Sequence, residues 1–166
     1  IIEWLPSKLE SWQSQASGRS HEILDCLYKN GDRRIAKALV ERTRSLIKKS
    51  KFHRPFVALV DHGTPVRSVN QVREEIGDQM KDMLDQEING FSTCCMERRE
   101  GEEYDFNDPL LEVLLQNLPD KLNQVVIAQL FLSPGRHAGD GGDLEKICEA
   151  FSGSLERTDL LGFHPL

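Results

Sequence analysis

Apolar positions in the first fifty residues recur at three- and four-residue steps. Ile23, Leu24 and Leu27, then Ile35, Leu39, Leu46 and Ile47, form helical stripes on either side of Asn30-Gly31, a pair suited to a helix stop because Gly and Asn accept the left-handed conformation. Ser7, with Glu10 three residues on, reads as a capping box for a first short helix, and Ser17-Gly18 as the break after it. From Arg54-Pro55 the period changes. Phe56 to Val60 is a short continuous apolar run, as a strand buried on both faces of a parallel sheet requires. It ends at Asp61-His62-Gly63-Thr64-Pro65. Ser68 and Gln71 predict a capped helix with the stripe Val69, Val72, Ile76, Met80 and Met83, stopped by Gly90. Phe91 to Met96 predicts a second strand. Asp108-Pro109 starts a helix bearing Leu110, Leu111, Leu114 and Leu115. Val125 to Leu132 is the most apolar strand, Asp143 caps a helix with Leu144, Ile147, Cys148 and Phe151, and Leu155 to Leu160 forms a last short strand. The order β-α-β-α-β-α-β from residue 56 predicts an α/β domain with a mainly parallel four-stranded sheet between helical layers.

Composition narrows the function classes. The 166 residues, 39% of them apolar, support one compact domain with an appendage at roughly 100 to 200 residues per domain. No apolar run approaches the roughly 18 residues of a spanning helix, so no membrane partner is expected. Four Cys, two of them adjacent at Cys94 and Cys95, do not suit a disulfide scaffold. Cys26 and Cys148 are expected in helix cores, the thiols reduced, and the compartment cytoplasmic, or the plastid stroma in a photosynthetic eukaryote. Ile at position 1 suggests a processed or excised piece. Lys and Arg outnumber Asp and Glu by 12 to 6 in residues 1 to 55, whereas the ratio is 9 to 21 in residues 56 to 166. The basic residues Arg33, Arg34, Lys37, Arg42, Arg44, Lys48 and Lys49 are interleaved with apolar ones, as on a solvated helix face. The acidic remainder would repel a phosphate backbone, so no nucleic-acid partner is expected.

Ligands of open α/β sheets sit beyond the carboxyl ends of the strands, and the unusual residues fall there. His62 follows the first strand, Glu97 with Arg98 and Arg99 the second, and Arg136-His137 the third. Neutral imidazole binds divalent transition metals and is a base near pH 7, and Glu97 can accept protons or ligate a hard cation. Gly135 and the run Gly139 to Gly142 let backbone approach a ligand closely. His21, His53 and His164 read as surface or turn residues. There is no G-x-S-x-G elbow and no dinucleotide or Walker fingerprint.

Three segments carry a family resemblance. Phe56 to Thr64 with its Asp61-His62-Gly63, Val125 to His137 with its Ser133-Pro134-Gly135-Arg136-His137, and the closing Leu161-Gly162-Phe163-His164-Pro165-Leu166 together resemble the small sirohydrochlorin chelatases, which put cobalt or iron into sirohydrochlorin. The resemblance covers residues 56 to 166. It implies a chelatase-like (flavodoxin-like) three-layer domain working as a homodimer or as part of a duplicated-domain chain. Residues 1 to 55 then form a helical extension or the tail of a preceding domain, and fill the place of the helix that the family carries after its His-Pro motif. By position, His62 and His137 match the family's metal-binding histidines, and Glu97 an acidic residue after the second strand. These three are the implied catalytic residues. Thr64, Arg67, Arg98, Arg99, Gly135 and Arg136 are candidates to bind the substrate, since Arg pairs bidentately with carboxylates. No organic cofactor is implied; Co2+ or Fe2+ is a substrate, as is the tetrapyrrole. The sequence departs from the family at Thr64-Pro65, in the charged stretch Arg98 to Asp108 and at Gly139 to Gly142. A non-catalytic metal- or tetrapyrrole-binding or regulatory domain is the alternative, and a flavodoxin-like flavin or nucleotide binder a third reading.

Overall fold

The computed structural model describes residues 8–12, 20, 22 and 26–165. The expectations for Ser7, Ser17-Gly18, His21, Ile23 and Leu24 fall outside the described residues. Four strands, β1 (Phe56–Asp61), β2 (Gly90–Cys95), β3 (Gln124–Gln129) and β4 (Ser154–Arg157), lie in the order β2-β1-β3-β4 with every pairing parallel. Among the described residues, residues 8–12 form a short helical segment and four longer helices accompany the strands: α1 (Arg34–Ser50), α2 (Arg67–Leu84), α3 (Leu111–Gln116) and α4 (Asp143–Glu149). The chain is therefore of the α/β class, with the alternation predicted from residue 56 onward.

Alternate residues of a strand point to opposite faces, and the two faces build two cores. Val57, Leu59, Val126 and Ala128 pack with Ile35, Leu39 and Val40 of α1 and Ile76, Met80 and Leu84 of α2. Ala58, Val60, Val125 and Ile127 pack on the other face with Leu111 and Leu115 of α3 and Leu144 of α4. Helix α1 carries Leu39 wholly buried against the sheet. The boundary expected at residue 55 thus runs through a continuous core, and this part of the expected extension supplies one of the sheet's covering layers. The same helix meets the carboxyl end of the chain, where His164 Nε2 lies 3.4 Å from Glu41 Oε2. His164 is half-buried in a bend of the chain, the turn position that was one of its two expectations.

Helix boundaries differ from the sequence reading in several places. Asn30-Gly31 forms a turn ahead of α1 and closes no helix, and the exposed Cys26 lies in neither a helix nor a core. Asp32 Oδ1 accepts the Arg34 backbone N–H at 2.9 Å just ahead of α1, whose cap position, Arg33, makes no side-chain cap bond. Ser68 is inside α2, whose cap position is Val66, so no capping box forms. Val69, expected on the buried stripe of α2, is exposed. Helix α2 ends at Leu84 and a short turn over Asp85–Glu87 follows, leaving Gly90 as the first residue of β2. Asp143 is the first helical residue of α4, with Gly142 at the cap, and its carboxylate is used elsewhere. Arg42 departs from the solvated helix face: its side chain is 12% exposed and its Nη1 lies 3.5 Å from Asp159 Oδ2.

Strand β1 is central. The chain leaves it through α2 on one face to reach β2, then crosses through α3 on the other face to reach β3. Its two neighbours are thus approached from opposite directions, which opens a crevice between the loops after β1 and β3.

Candidate metal centre

His62 is delivered to that crevice by sheet register. Asp61 pairs with Cys95 at the end of the β1–β2 ladder, and two further hydrogen bonds extend the pairing into the loops, Met96 N–H to Asp61 O at 2.9 Å and Glu97 N–H to His62 O at 3.1 Å. Glu97 is therefore brought beside His62. Gly63 makes this possible: its φ is +95° and a Cβ there would stand 1.9 Å from the Glu97 carbonyl oxygen, so an L side chain would be both strained and in collision.

Buried polar groups hold the β1–α2 loop from below. Arg73, 1% exposed, reaches Asp61 Oδ1 through Nη1 at 3.2 Å, Glu74 Oε1 through Nη2 at 2.8 Å, and donates to the Asn107 carbonyl at 3.2 Å. Burial pushes the Asp61 carboxyl above its ordinary range, with Arg73 opposing that shift. Asn107, fully buried, accepts from Thr64 N–H at 3.0 Å and donates to Thr64 O at 2.9 Å. The charged stretch Arg98 to Asp108 is thus a folded strap that holds the loop carrying His62. Arg98 belongs to its framework, with Nε 2.8 Å from Asp108 Oδ1 and Nη2 3.1 Å from Asp105 Oδ1.

His137 arrives by another route. The loop after β3 runs outward through Ser133 to Arg136 and then folds back: Leu144 N–H donates to His137 O at 3.1 Å, and a Cβ on Gly142 would lie 2.5 Å from that same oxygen. The imidazole is 7% exposed, against 58% for His62 and 50% for the Glu97 side chain.

The three side chains meet. Each offers a ligand atom within 4.8 Å of the others. His62 Nε2 is 3.5 Å from Glu97 Oε1, His137 Nε2 is 3.6 Å from Glu97 Oε2, and the imidazole centroids are 4.6 Å apart in an edge-to-face arrangement. Both rings turn Nε2 toward the carboxylate and Nδ1 away from it. His62 Nδ1 lies 3.3 Å from the Gly63 carbonyl, which can only accept. His137 Nδ1 lies 3.1 Å from Asp143 Oδ2, off the N–H direction, so this is a close polar contact and no aligned hydrogen bond. Two imidazoles and a carboxylate that is half open to solvent suit a borderline divalent cation with coordination positions left for other ligands.

The remaining sequence-predicted residues divide. Thr64 and Arg98 are committed to the loop and the strap. Arg67 is exposed with its guanidinium 4.6 Å from the Phe106 ring centroid, and exposed Arg99 sits 5.8 Å from that of Tyr104. Arg136 is exposed with Nε 3.3 Å from Asp143 Oδ2. Gly135 is exposed and its carbonyl accepts from Gly139 N–H at 2.8 Å. Asp143 is the residue at this centre that the sequence reading placed in the wrong role. Its spacing of six from His137 gives no helical or strand signal; only the return of the loop joins them. No cysteine joins the group formed by His62, Glu97 and His137 among the described residues, and burial raises the Cys94 thiol and pushes Cys95 up to about 11, which disfavours the thiolate that a metal needs.

A cavity of about 660 Å³ between α3 and α4 is lined by Asn123 and Gly153, which precede β3 and β4, so it lies at the amino ends of those strands. A groove of about 450 Å³ at their carboxyl ends is lined by Ala138, the residue after His137, together with Gln129, Arg157 and Thr158. No helix among the described residues is long and apolar enough to cross a membrane. Compared with known proteins, the chain matches no family model, no curated protein and no solved structure.

Proposed function

We propose that the chain is a sirohydrochlorin chelatase-like enzyme, which inserts Co2+ or Fe2+ into a sirohydrochlorin-like tetrapyrrole in the cytoplasm or a plastid stroma. The observation that carries this reading is the convergence of His62, Glu97 and His137 on one solvent-accessible point at the carboxyl ends of the strands. Histidines separated by more than roughly 10 Å would have spoken against it, since they could not share an ion whose ligand bonds are near 2 Å.

Metal and macrocycle are both substrates. The two Nε2 atoms and Glu97 hold the divalent ion on one side, leaving its other side to water and then to the pyrrole nitrogens. As the four metal–nitrogen bonds form, two pyrrole N–H bonds break and two protons leave. Glu97 or a released imidazole accepts them, the role of a positioned general base. The exposed Arg67, at the start of α2, and Arg99 and Arg136, in the loops after β2 and β3, are the candidates to pair with the carboxylates of the substrate. A homodimer or a duplicated chain would close the macrocycle cleft.

Anaerobic incubation of the purified chain with sirohydrochlorin and Co2+ or Fe2+, followed by absorption, tests the proposal beside a His62→Ala/His137→Ala double variant. Insertion by the wild type and background rates for the variant are expected. Retained metal binding without insertion would replace the enzyme by a metal-carrying or regulatory domain.

A further inference from the structure

Beside the metal centre one carboxylate has no role in the mechanism above. Asp143 opens α4 without capping it, and its Oδ2 lies 3.1 Å from His137 Nδ1. That nitrogen is buried and makes no hydrogen bond among the described residues. A buried imidazole nitrogen without a partner costs free energy, and a carboxylate at this distance can offset the cost only if Nδ1 carries the proton. The backbone supports the pairing: Leu144 N–H donates to His137 O at 3.1 Å, so the first turn of α4 and the histidine are tied together. Arg136 Nε, at 3.3 Å, and Lys146 Nζ, at 3.8 Å, flank the same carboxylate and compensate its charge.

We propose that Asp143 is a positioning residue, which keeps the His137 proton on Nδ1 and so presents Nε2, with its lone pair, to a metal. The proposal rests on the reading of His137 as a metal ligand. At His62 the Gly63 carbonyl, 3.3 Å from Nδ1, does the corresponding work, so each imidazole has an acceptor behind it and Glu97 in front. Such outer partners fix the tautomer and raise the basicity of a ligating histidine. The contact from Asp143 is short but misaligned, which is common in unloaded sites, where hydrogen bonds tighten only once the ligand arrives.

Two readouts on the full chain test this. Imidazole nitrogen NMR on the metal-free protein reads the tautomer, and visible-absorption titration with Co2+ alone reads affinity. The wild type is expected to hold His137 as the Nδ1–H form. Asp143→Ala should lose that preference and bind Co2+ about 10- to 100-fold more weakly. Asp143→Asn, whose amide oxygen still accepts, should keep the tautomer and recover most of the affinity, which a merely structural role of the side chain would not require. A wild-type His137 protonated on Nε2, or an Asp143→Ala protein with unchanged tautomer and affinity, would overturn the proposal. If the wild type takes up no Co2+, the metal reading of the site fails, and the tautomer in Asp143→Ala alone then decides the role of Asp143.

Discussion

His62 and His137 face the same carboxylate from opposite sides of the crevice, yet the fold delivers them in different ways. His62 is an extension of the β1–β2 ladder: two hydrogen bonds past the last paired residues hold it beside Glu97, and a buried Arg73–Asp61 pair and Asn107 brace the loop beneath. His137 owes its place to a loop that leaves β3 and returns to the start of α4. The first side chain is 58% exposed and the second 7%. Sheet register thus places an accessible imidazole, while the returning loop places a buried one.

The largest test of this contrast removes the brace under His62. Arg73→Met should cost about 3–5 kcal/mol at neutral pH, because it leaves Asp61 charged, buried and unpaired. The sign with pH follows from the Asp61 carboxyl, which sits above its ordinary range in the folded state. Protonated Asp61 is favoured by the fold, so its contribution is present at acid pH and is lost as pH rises through the folded-state value. Without Arg73 that value climbs further, and the deficit of the variant, read by urea denaturation, should shrink from pH 7 toward pH 4. A deficit that is flat across this range would show that the pair does not carry the loop.

A smaller effect is expected at Gly63. Gly63→Ala adds backbone strain of about 1–3 kcal/mol and pushes against the Glu97 carbonyl, 1.9 Å from the new Cβ. Calorimetric unfolding should show the loss, and Co2+ titration should show weaker binding as Glu97 withdraws from His62. Binding unchanged in a destabilised variant would separate the register from the centre.

The smallest effects compare the histidines directly. His137→Ala should cost about 1–2 kcal/mol, since it empties a buried position, whereas His62→Ala should stay within about 0.5 kcal/mol. Urea midpoints measure both. Equal costs would remove the distinction between the two routes.

Much of the fold was legible because it is local. The apolar run Phe56 to Val60 and the stripes through Leu39 and Ile76 state burial directly: the run is buried throughout, as are Ile35, Leu39, Ile76 and Met80, while Val69 is exposed. Capping was less legible: Ser68 and Asp143 have the residue types of caps, but the chain starts α2 one residue before Ser68 and puts the Asp143 carboxylate against His137. The place of α1 was not legible from its stripe alone. Its amphipathic pattern is plain, but a stripe does not name the surface that it covers, and here it covers the same sheet that the later residues build.

The sequence by itself determined the α/β alternation and the loops after the strands that carry His62, Glu97 and His137, because hydrophobic period and breaking residues act over a few neighbours. Only the tertiary structure decided that these ends adjoin and that Arg98 serves the strap and Asp143 the second histidine. Those outcomes depend on strand order and on the return of a loop, where residues distant in sequence compete for the same few buried partners.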